Sequence, residues 1–310
     1  PYIVGLAWHL IWQRYDLVYI YKPTPLTVMG LITKLLRRTT IVADYDDLGS
    51  EVMKIEGQPA PIWKLTAWCE RVVERHADGV VVASRLLEHE TQERYPTKPV
   101  IRLSNGVDPE RFTPNQTPPR QTPHIIFFGV LNRLSITKPL LQALALVKAA
   151  LPATTPLMLD IIGDGTVRPQ LEQLATELGI KQQVTFWGWS SYDQFRQRVQ
   201  TNDIAITTMP HDRTTAACSN QKVFQYQAMQ LAVIGSRVGD MPDYLQDGQA
   251  GLIVPPNNAA ELSQAILELM NHSDRRAQLA ATGRKLAETT YSWKQLGGQL
   301  NQFLEELAHS

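Results

Sequence analysis

The sequence of 310 residues contains only two cysteines, Cys69 and Cys218, far apart and outside any CxxC pattern. A disulfide scaffold is excluded, a cysteine zinc or redox site is disfavoured, and the usage fits a reducing, cytoplasmic compartment. Net charge is also lacking: 30 Lys+Arg balance 30 Asp+Glu, so nothing calls for a nucleic-acid partner, although small phosphates stay open. No run approaches the roughly 18 uncharged apolar residues of a membrane span, because Lys22, Lys34 and Lys138 interrupt the most hydrophobic regions. The seven histidines form no HxH or HxxxH pair, and neither a G-x-S-x-G elbow nor a P-loop GK[ST] occurs, which removes support from metal and serine-hydrolase chemistry.

What is present is an ordinary globular composition, 44% hydrophobic and 19% charged, whose length predicts about two domains, each with its own core. Ten short β-rich runs alternate with helical patterns, the signature of βα units and parallel sheets. They lie at 16–21, 39–43, 79–83, 99–103, 124–129, 157–163, 184–187, 203–208, 232–236 and 251–254. Helices are expected near 138–150, 168–178, 192–200, 219–230 and 259–270, with a long amphipathic pattern over 274–289 and 292–307. A proline-rich stretch from Asp108 to Pro123 can continue neither a helix nor a central strand and marks the domain boundary. The opening run 1–12 is apolar but too short to span a membrane, has no basic start or cleavage site, and reads as a helix of a folded domain. It begins with Pro1, which predicts processing or a missing upstream part.

Five clusters carry candidate chemistry. Asp44-Tyr45-Asp46-Asp47 directly follows the second run, where open α/β sheets place ligands. It reads as a metal-holding acidic group, as carboxylates facing an acceptor, or as a turn in which Asp47 or Ser50 caps the next helix. Gly163-Asp164-Gly165 starts like a dinucleotide fingerprint, but Arg168 stands where the third glycine belongs; it is either a turn that lets a helix N-terminus approach phosphate or a plain strand–helix turn. Ser219-Asn220-Gln221-Lys222 gathers small polar groups and a cation at a helix start, which suits an anion, or else a serine cap beside a solvated lysine. Arg133 and Lys138 add cationic groups after the fifth run, and Trp187-Gly188-Trp189 either stacks a nucleobase or finishes a packing contact.

Leu103-Ser104-Asn105-Gly106-Val107-Asp108 followed by Arg111-Phe112-Thr113-Pro114 resembles the "NGVD…F" interdomain hallmark of retaining glycosyltransferases of the GT-B fold, family 4. The likeness continues through IIGDGTVRPQL at 161–171, SNQKVFQYQAMQLAVIGS at 219–236, the glycine-rich stretch 239–255 and Tyr291-Ser292-Trp293. The resemblance implies two Rossmann-like α/β domains: a partial acceptor-side domain over 1–112, a linker at 113–123, a nucleotide-sugar domain over 124–290 and a C-terminal crossover helix over 291–310. It implies transfer of a hexose from a nucleoside-diphosphate sugar to a glycan or lipid-linked acceptor, with no obligatory metal and no cofactor beyond the donor. Gly129, Arg133, Lys138, Gly163, Gly165, Ser219, Lys222, Val223 and Gln225 would face the donor, and Asp46 and Asp47 would take the catalytic, acceptor-facing place.

The sequence departs from that family at named positions. Val130 stands where the family carries arginine after the strand-ending glycine, Ala217 and Gln225 replace both glutamates of its E-x7-E pattern, and Asp46 replaces its site histidine. An amide can still hydrogen-bond a ribose hydroxyl, whereas an alanine cannot. These replacements motivate a second expectation, a catalytically degenerate relative acting as a binding or partner subunit; a nucleotide-sugar epimerase is a third. The family's usual first strand and glycine loop are absent, so the first domain is expected to be incomplete, its open edge covered by the missing part or by a second chain. Trp8, Trp12 and Arg14 give a weak signal for peripheral contact with the inner face of a membrane.

Overall fold

The computed structural model describes residues 2–114 and 122–309. All ten expected strands form: β1 Leu17–Tyr21, β2 Thr40–Tyr45, β3 Gly79–Val82, β4 Val100–Arg102, β5 Ile125–Phe128, β6 Leu159–Ile162, β7 Val184–Gly188, β8 Ile204–Thr207, β9 Ala232–Ser236 and β10 Leu252–Val254. They build two parallel sheets, one in the order β1-β2-β3-β4 and one in the order β10-β9-β8-β5-β6-β7. Runs such as Ile125-Ile126-Phe127 and Ile204-Ala205-Ile206 are apolar without alternation because both faces of a parallel sheet are buried under helices.

The chain divides into two compact units. One comprises Pro1–Asn105, Ala216–Ser219 and Lys294–Ser310; the other comprises Gly106–Thr215 and Asn220–Trp293. Residues 106–112, expected with the first domain, fall in the second unit because Phe112 packs edge-on against Tyr192 and Phe195 there. Of the expected linker at 113–123, residues 115–121 lie outside the described residues.

In the first unit, alternate residues of the strands serve opposite faces. Ile41, Ala43, Val80 and Val82 pack with Val73 of the helix Ala60–His76, with Ala77 directly after it and with Leu87 of the helix Arg85–Arg94. Val42 and Val81 face the other way, onto Leu300, Phe303, Leu304 and Leu307 of the C-terminal helix Trp293–Ala308. The opening apolar run does form a helix, Tyr2–Trp12.

In the second unit, helix Leu134–Ala150 packs against helix Ala259–Asn271, and both sit on the sheet through Leu140, Leu144, Leu262 and Ile266. The first starts four residues earlier than expected, carrying Pro139 inside it. Local signals set other helix starts. Ser191 and Gln194 form a capping box, and Asn258 accepts the amide of Glu261 at 3.0 Å. The helix expected at 219–230 is shorter, Gln221–Ala228, because Asn220 is its cap and Ser219 belongs to the other unit.

Gly79 decides how closely the C-terminal helix docks: a Cβ there would overlap Leu307 Cδ1 and lie 3.0 Å from the Phe303 ring. Gly79→Val is expected to lower stability by about 1 to 3 kcal/mol through overpacking, read as a lower urea midpoint at unchanged m; an unmoved midpoint would refute this packing role.

Candidate functional site

In the second unit the strand order reverses between β5 and β8, and ligands of open α/β sheets bind outside the carboxyl ends of strands at such a switch point. The loops there are meshed by backbone. Gly129 N–H donates to the Ile162 carbonyl at 3.0 Å, Leu131 N–H to the Asp164 carbonyl at 2.9 Å and Val167 N–H to the Leu131 carbonyl at 2.9 Å. Gly163 has φ +127°, and a side chain on it would collide with the Gly129 carbonyl; one on Gly165 would collide with Leu131 and Asn132. These glycines are therefore required by loop nesting, whatever else they contact.

Lys222 is carried to the same place by its helix. Asn220 accepts the Lys222 amide at 3.2 Å while its own amide group donates to Thr207 Oγ1 at 2.7 Å, which pins the helix start to the end of β8. The Lys222 ammonium lies 5.8 Å from the Phe128 ring centre, and a Cβ on Gly129 would come within 3.3 Å of it. Gly129 thus leaves space that Lys222 enters. Gln225 is half-buried on this helix, while Val223 is fully buried and its N–H donates to the Asn220 carbonyl, so its side chain faces the core.

Other expected residues are placed differently. Lys138 is exposed on the helix that follows β5 and has no hydrogen bond or ion pair among the described residues. Arg133 is ion-paired with Asp212. Asp212 also accepts from Thr214 Oγ1 at 2.7 Å, Thr215 Oγ1 at 2.8 Å and the Thr215 amide at 2.9 Å. Burial pushes its carboxyl up, but those hydrogen bonds and the one from Arg133 outweigh it and hold it well below the ordinary carboxylate range. Arg168 is engaged with Asp164 at 2.9 Å and Glu172 at 2.7 Å. Trp187 donates its indole N–H to Asp160 at 2.9 Å and carries the Arg198 guanidinium 4.2 Å from its ring centre, whereas Trp189 is exposed.

In the first unit, Asp46 and Asp47 converge with a residue the sequence reading passed over. Lys22, directly after β1 and in the left-handed region at φ 47°, donates to Asp47 at 2.9 Å and lies 3.3 Å from Asp46. Its ammonium takes the position from which a cation would bridge the two carboxylates. Burial alone would lower the Lys22 pKa, but the hydrogen bond and charge of Asp47 and the charge of Asp46 raise it overall. Asp46 accepts from Asn105 Nδ2 at 3.3 Å, and the same amide group donates to the Ser219 carbonyl at 3.0 Å; Ser219 Oγ accepts the Asn105 N–H at 2.8 Å. Ser219, expected beside Lys222, is thus a buried hydrogen-bond partner in the first unit. Ala217, in place of the family's first glutamate, is fully buried in that unit's apolar cluster.

Asp44 is turned to Tyr19, whose hydroxyl donates to it at 2.6 Å; burial raises the Asp44 pKa against that bond. The capping alternative for Asp47 and Ser50 fails. The cap position of helix Gly49–Ile55 is Leu48 without a side-chain bond, and Glu70 instead accepts both the Ser50 amide at 2.9 Å and its hydroxyl at 2.6 Å. Burial raises the Glu70 pKa, opposed by those two bonds. A cavity of about 70 Å³ opens between Lys22, Asp47, Gly49 and Glu70. Lys22 had one readable signal: a cation at the carboxyl end of the strand next to the acidic turn, in a register that sets Tyr21 opposite Asp44. Glu70 had none, since Ser50 lies 20 residues away; Asp212 adjoins its partners Thr214 and Thr215, but its cationic partner Arg133 is 79 residues distant.

A doubly wound sheet with glycine-nested loops and a lysine at its switch point, joined to a second parallel α/β unit, is the layout of the GT-B class. Residues 122–272 match the family described as glycosyl transferases group 1, and residues 1–111 match glycosyltransferase family 4. The chain belongs to the GT-B glycosyl transferases of group 1. It is 26% identical over 261 residues to a GDP-mannose-dependent alpha-(1-6)-phosphatidylinositol monomannoside mannosyltransferase of Mycobacterium tuberculosis, covering 78% of this chain and 66% of that protein. It is 23% identical over 147 residues to an alpha-D-kanosaminyltransferase of Streptomyces kanamyceticus, covering 47% of this chain and 37% of that one. The chain thus spans less than two thirds of the length of these curated relatives. Its fold matches Anabaena HepE, solved in complex with UDP, with a TM-score of 0.76 at 17% identity, covering 99% of this chain and 82% of that one.

The Asp212 arrangement has a measurable pH signature. A carboxyl held low in the folded state stabilises it fully above the unfolded value of about 4 and loses that contribution as pH falls further. Asp212→Asn is therefore expected to lower stability at pH 7 and to reduce its fall between about pH 4 and pH 2, followed by chemical unfolding; parallel curves for the two proteins would contradict the assignment.

Proposed function

We propose that the protein is a retaining hexosyltransferase that moves a hexose from a nucleoside-diphosphate sugar to a hydroxyl of a lipid-linked or glycan acceptor. The second unit takes the donor and the first takes the acceptor. The observation that carries this reading is the Lys222 ammonium held over Gly129 at the switch point of the second sheet.

Transfer breaks the bond between the anomeric carbon and the diphosphate oxygen and forms one from that carbon to the acceptor oxygen. The electron pair leaves with the diphosphate, and the proton lost by the acceptor hydroxyl passes to the departing diphosphate oxygen, so the step balances without a further reactant. Lys222 supplies positive charge where that leaving group gains negative charge, and it is pre-positioned by the Asn220 cap, so no reorganisation is needed when charge develops. Lys138, exposed on the helix after β5, offers a second cation to the same diphosphate. Gln225 supports the ribose through its amide. Asp46, steadied by Asn105 and Lys22, orients the acceptor hydroxyl. The mannosyltransferase relative's name supports a lipid-linked acceptor, and the UDP in HepE supports a nucleoside-diphosphate donor. No divalent metal is assigned a role.

A second reading, a non-catalytic partner subunit, is favoured by two observations: Ala217 is buried where the family has a glutamate, and Arg133 is neutralised by Asp212. Turnover separates the readings. Calorimetric titration with UDP, GDP, ADP and their hexose conjugates is expected to show saturable binding of one base series. Lys222→Ala is expected to weaken that binding about 10- to 100-fold, as loss of a charge-assisted hydrogen bond does, and to abolish transfer with the fold intact. Unchanged binding in that variant would remove the phosphate assignment, and hexose transfer by the wild-type protein would reject the partner-subunit reading.

A further inference from the structure

The two strands that flank the switch point of the second unit, β5 and β8, lead into segments that side chains tie together across the crevice. Thr208 Oγ1 donates to the Ile136 carbonyl at 2.5 Å, and Arg133 Nη2 donates to Asp212 Oδ2. The partners of that ion pair are unequally satisfied. Asp212 Oδ1 accepts from Thr214 Oγ1, Thr215 Oγ1 and the Thr215 amide, so the carboxylate keeps three donors without Arg133. Arg133 carries five N–H donors, yet Asp212 is its one hydrogen-bond partner among the described residues. An arginine that holds architecture uses its donors differently: Arg284 of the same unit donates to the carbonyls of Pro109, Phe112 and Ala228 and to Glu288. The side chains of Arg133 and Asp212 are 36% and 30% exposed, and a pair so open to water is weak. Val130 stands uncharged directly after Gly129, so Arg133 is the arginine that this loop offers to an anion.

We infer, on the donor reading proposed above, that Asp212 sets the donor affinity of the second unit by holding Arg133 across the crevice until a diphosphate takes the guanidinium from it. The exchange gains contacts, because a guanidinium fork binds two phosphate oxygens at once, whereas Asp212 engages one nitrogen. It leaves no bare carboxylate, because the two threonines continue to donate to Asp212. When the nucleoside diphosphate departs, Arg133 returns to Asp212, which loosens the hold on product as well as on donor. Asp212 is thus a positioning residue that acts through Arg133, and the apparent affinity falls by the fraction of molecules in which the guanidinium is already released.

The test is calorimetric titration of the full chain with inorganic pyrophosphate, a probe that involves neither base nor turnover. Asp212→Asn keeps an oxygen for the threonine donors and removes the charge, and it is expected to tighten binding about fivefold, the strength of a pair so exposed. Without Arg133 that gain is expected to vanish: Arg133→Gln and the double variant bind alike. In the Asp212→Asn background, loss of Arg133 is expected to weaken binding about tenfold. Should Asp212→Asn not fold by circular dichroism, the wild type decides. Its Arg133 Nε–H proton resonance, assigned by its loss in Arg133→Gln, is expected to shift on saturation with pyrophosphate, and an unmoved resonance overturns the proposal. Unchanged or weaker binding by folded Asp212→Asn also overturns it, as does an equal gain with and without Arg133, which would reduce Asp212 to simple repulsion. If Lys222→Ala still loses binding in those cases, the phosphate assignment stands alone; absence of saturable binding by the wild type overturns both.

Discussion

The second unit depends on a contact in which no side chain takes part: the approach of Gly163 to the Gly129 carbonyl. A Cβ at residue 163 would occupy the place of that oxygen, and the positive φ of Gly163 is one that L side chains rarely adopt. With the two loops nested, the Leu131, Asp164 and Val167 main chains lock to one another, and the floor of the switch point becomes backbone. Gly129 then leaves the room that the Lys222 ammonium enters. One steric constraint thus precedes the electrostatics of the site.

In both units several charges at the candidate sites are paired before any ligand arrives. Arg133 is matched to Asp212, Arg168 to Asp164 and Glu172, and Lys22 to Asp46 and Asp47. Such pairs are partly exposed and add little net stability each. Their consequence is orientation: Asp212 is tied into the first turn of the segment that leads towards Ser219, and Asp46 is held from two sides by Asn105 and Lys22. Lys138 stands outside this pattern as an exposed cation of the second unit without an ion pair among the described residues. The same partition of charge, carboxylates inward and cations outward, shapes the outer face of helix Ala60–His76.

The strands were legible because burial on both faces of a parallel sheet demands short unbroken apolar runs, and Ile125–Phe128 and Ile204–Thr207 have few other uses. The acidic turn, the glycine turn and Lys222 were legible because each directly adjoins such a run. The roles of Ser219, Arg133 and Asp47 were not. Ser219 looks like a helix cap beside Lys222, yet the main chain of Asn105, 114 residues away, claims its hydroxyl. Asp47 looks like a cap, yet Glu70, 20 residues beyond Ser50, takes the capping work and leaves Asp47 to Lys22.

The sequence by itself determined the alternation of strands and helices, the two parallel sheets and the family, because periodicity, glycine turns and ordered motifs act over a few residues and survive any tertiary arrangement. Only the tertiary structure decided which cation meets which carboxylate, that Ala217 enters an apolar core, and that the carboxylates of one surface helix turn away from solvent. Those outcomes depend on side chains brought together across 20 to 114 residues of chain, where the competing partners are chemically alike and distance alone selects among them.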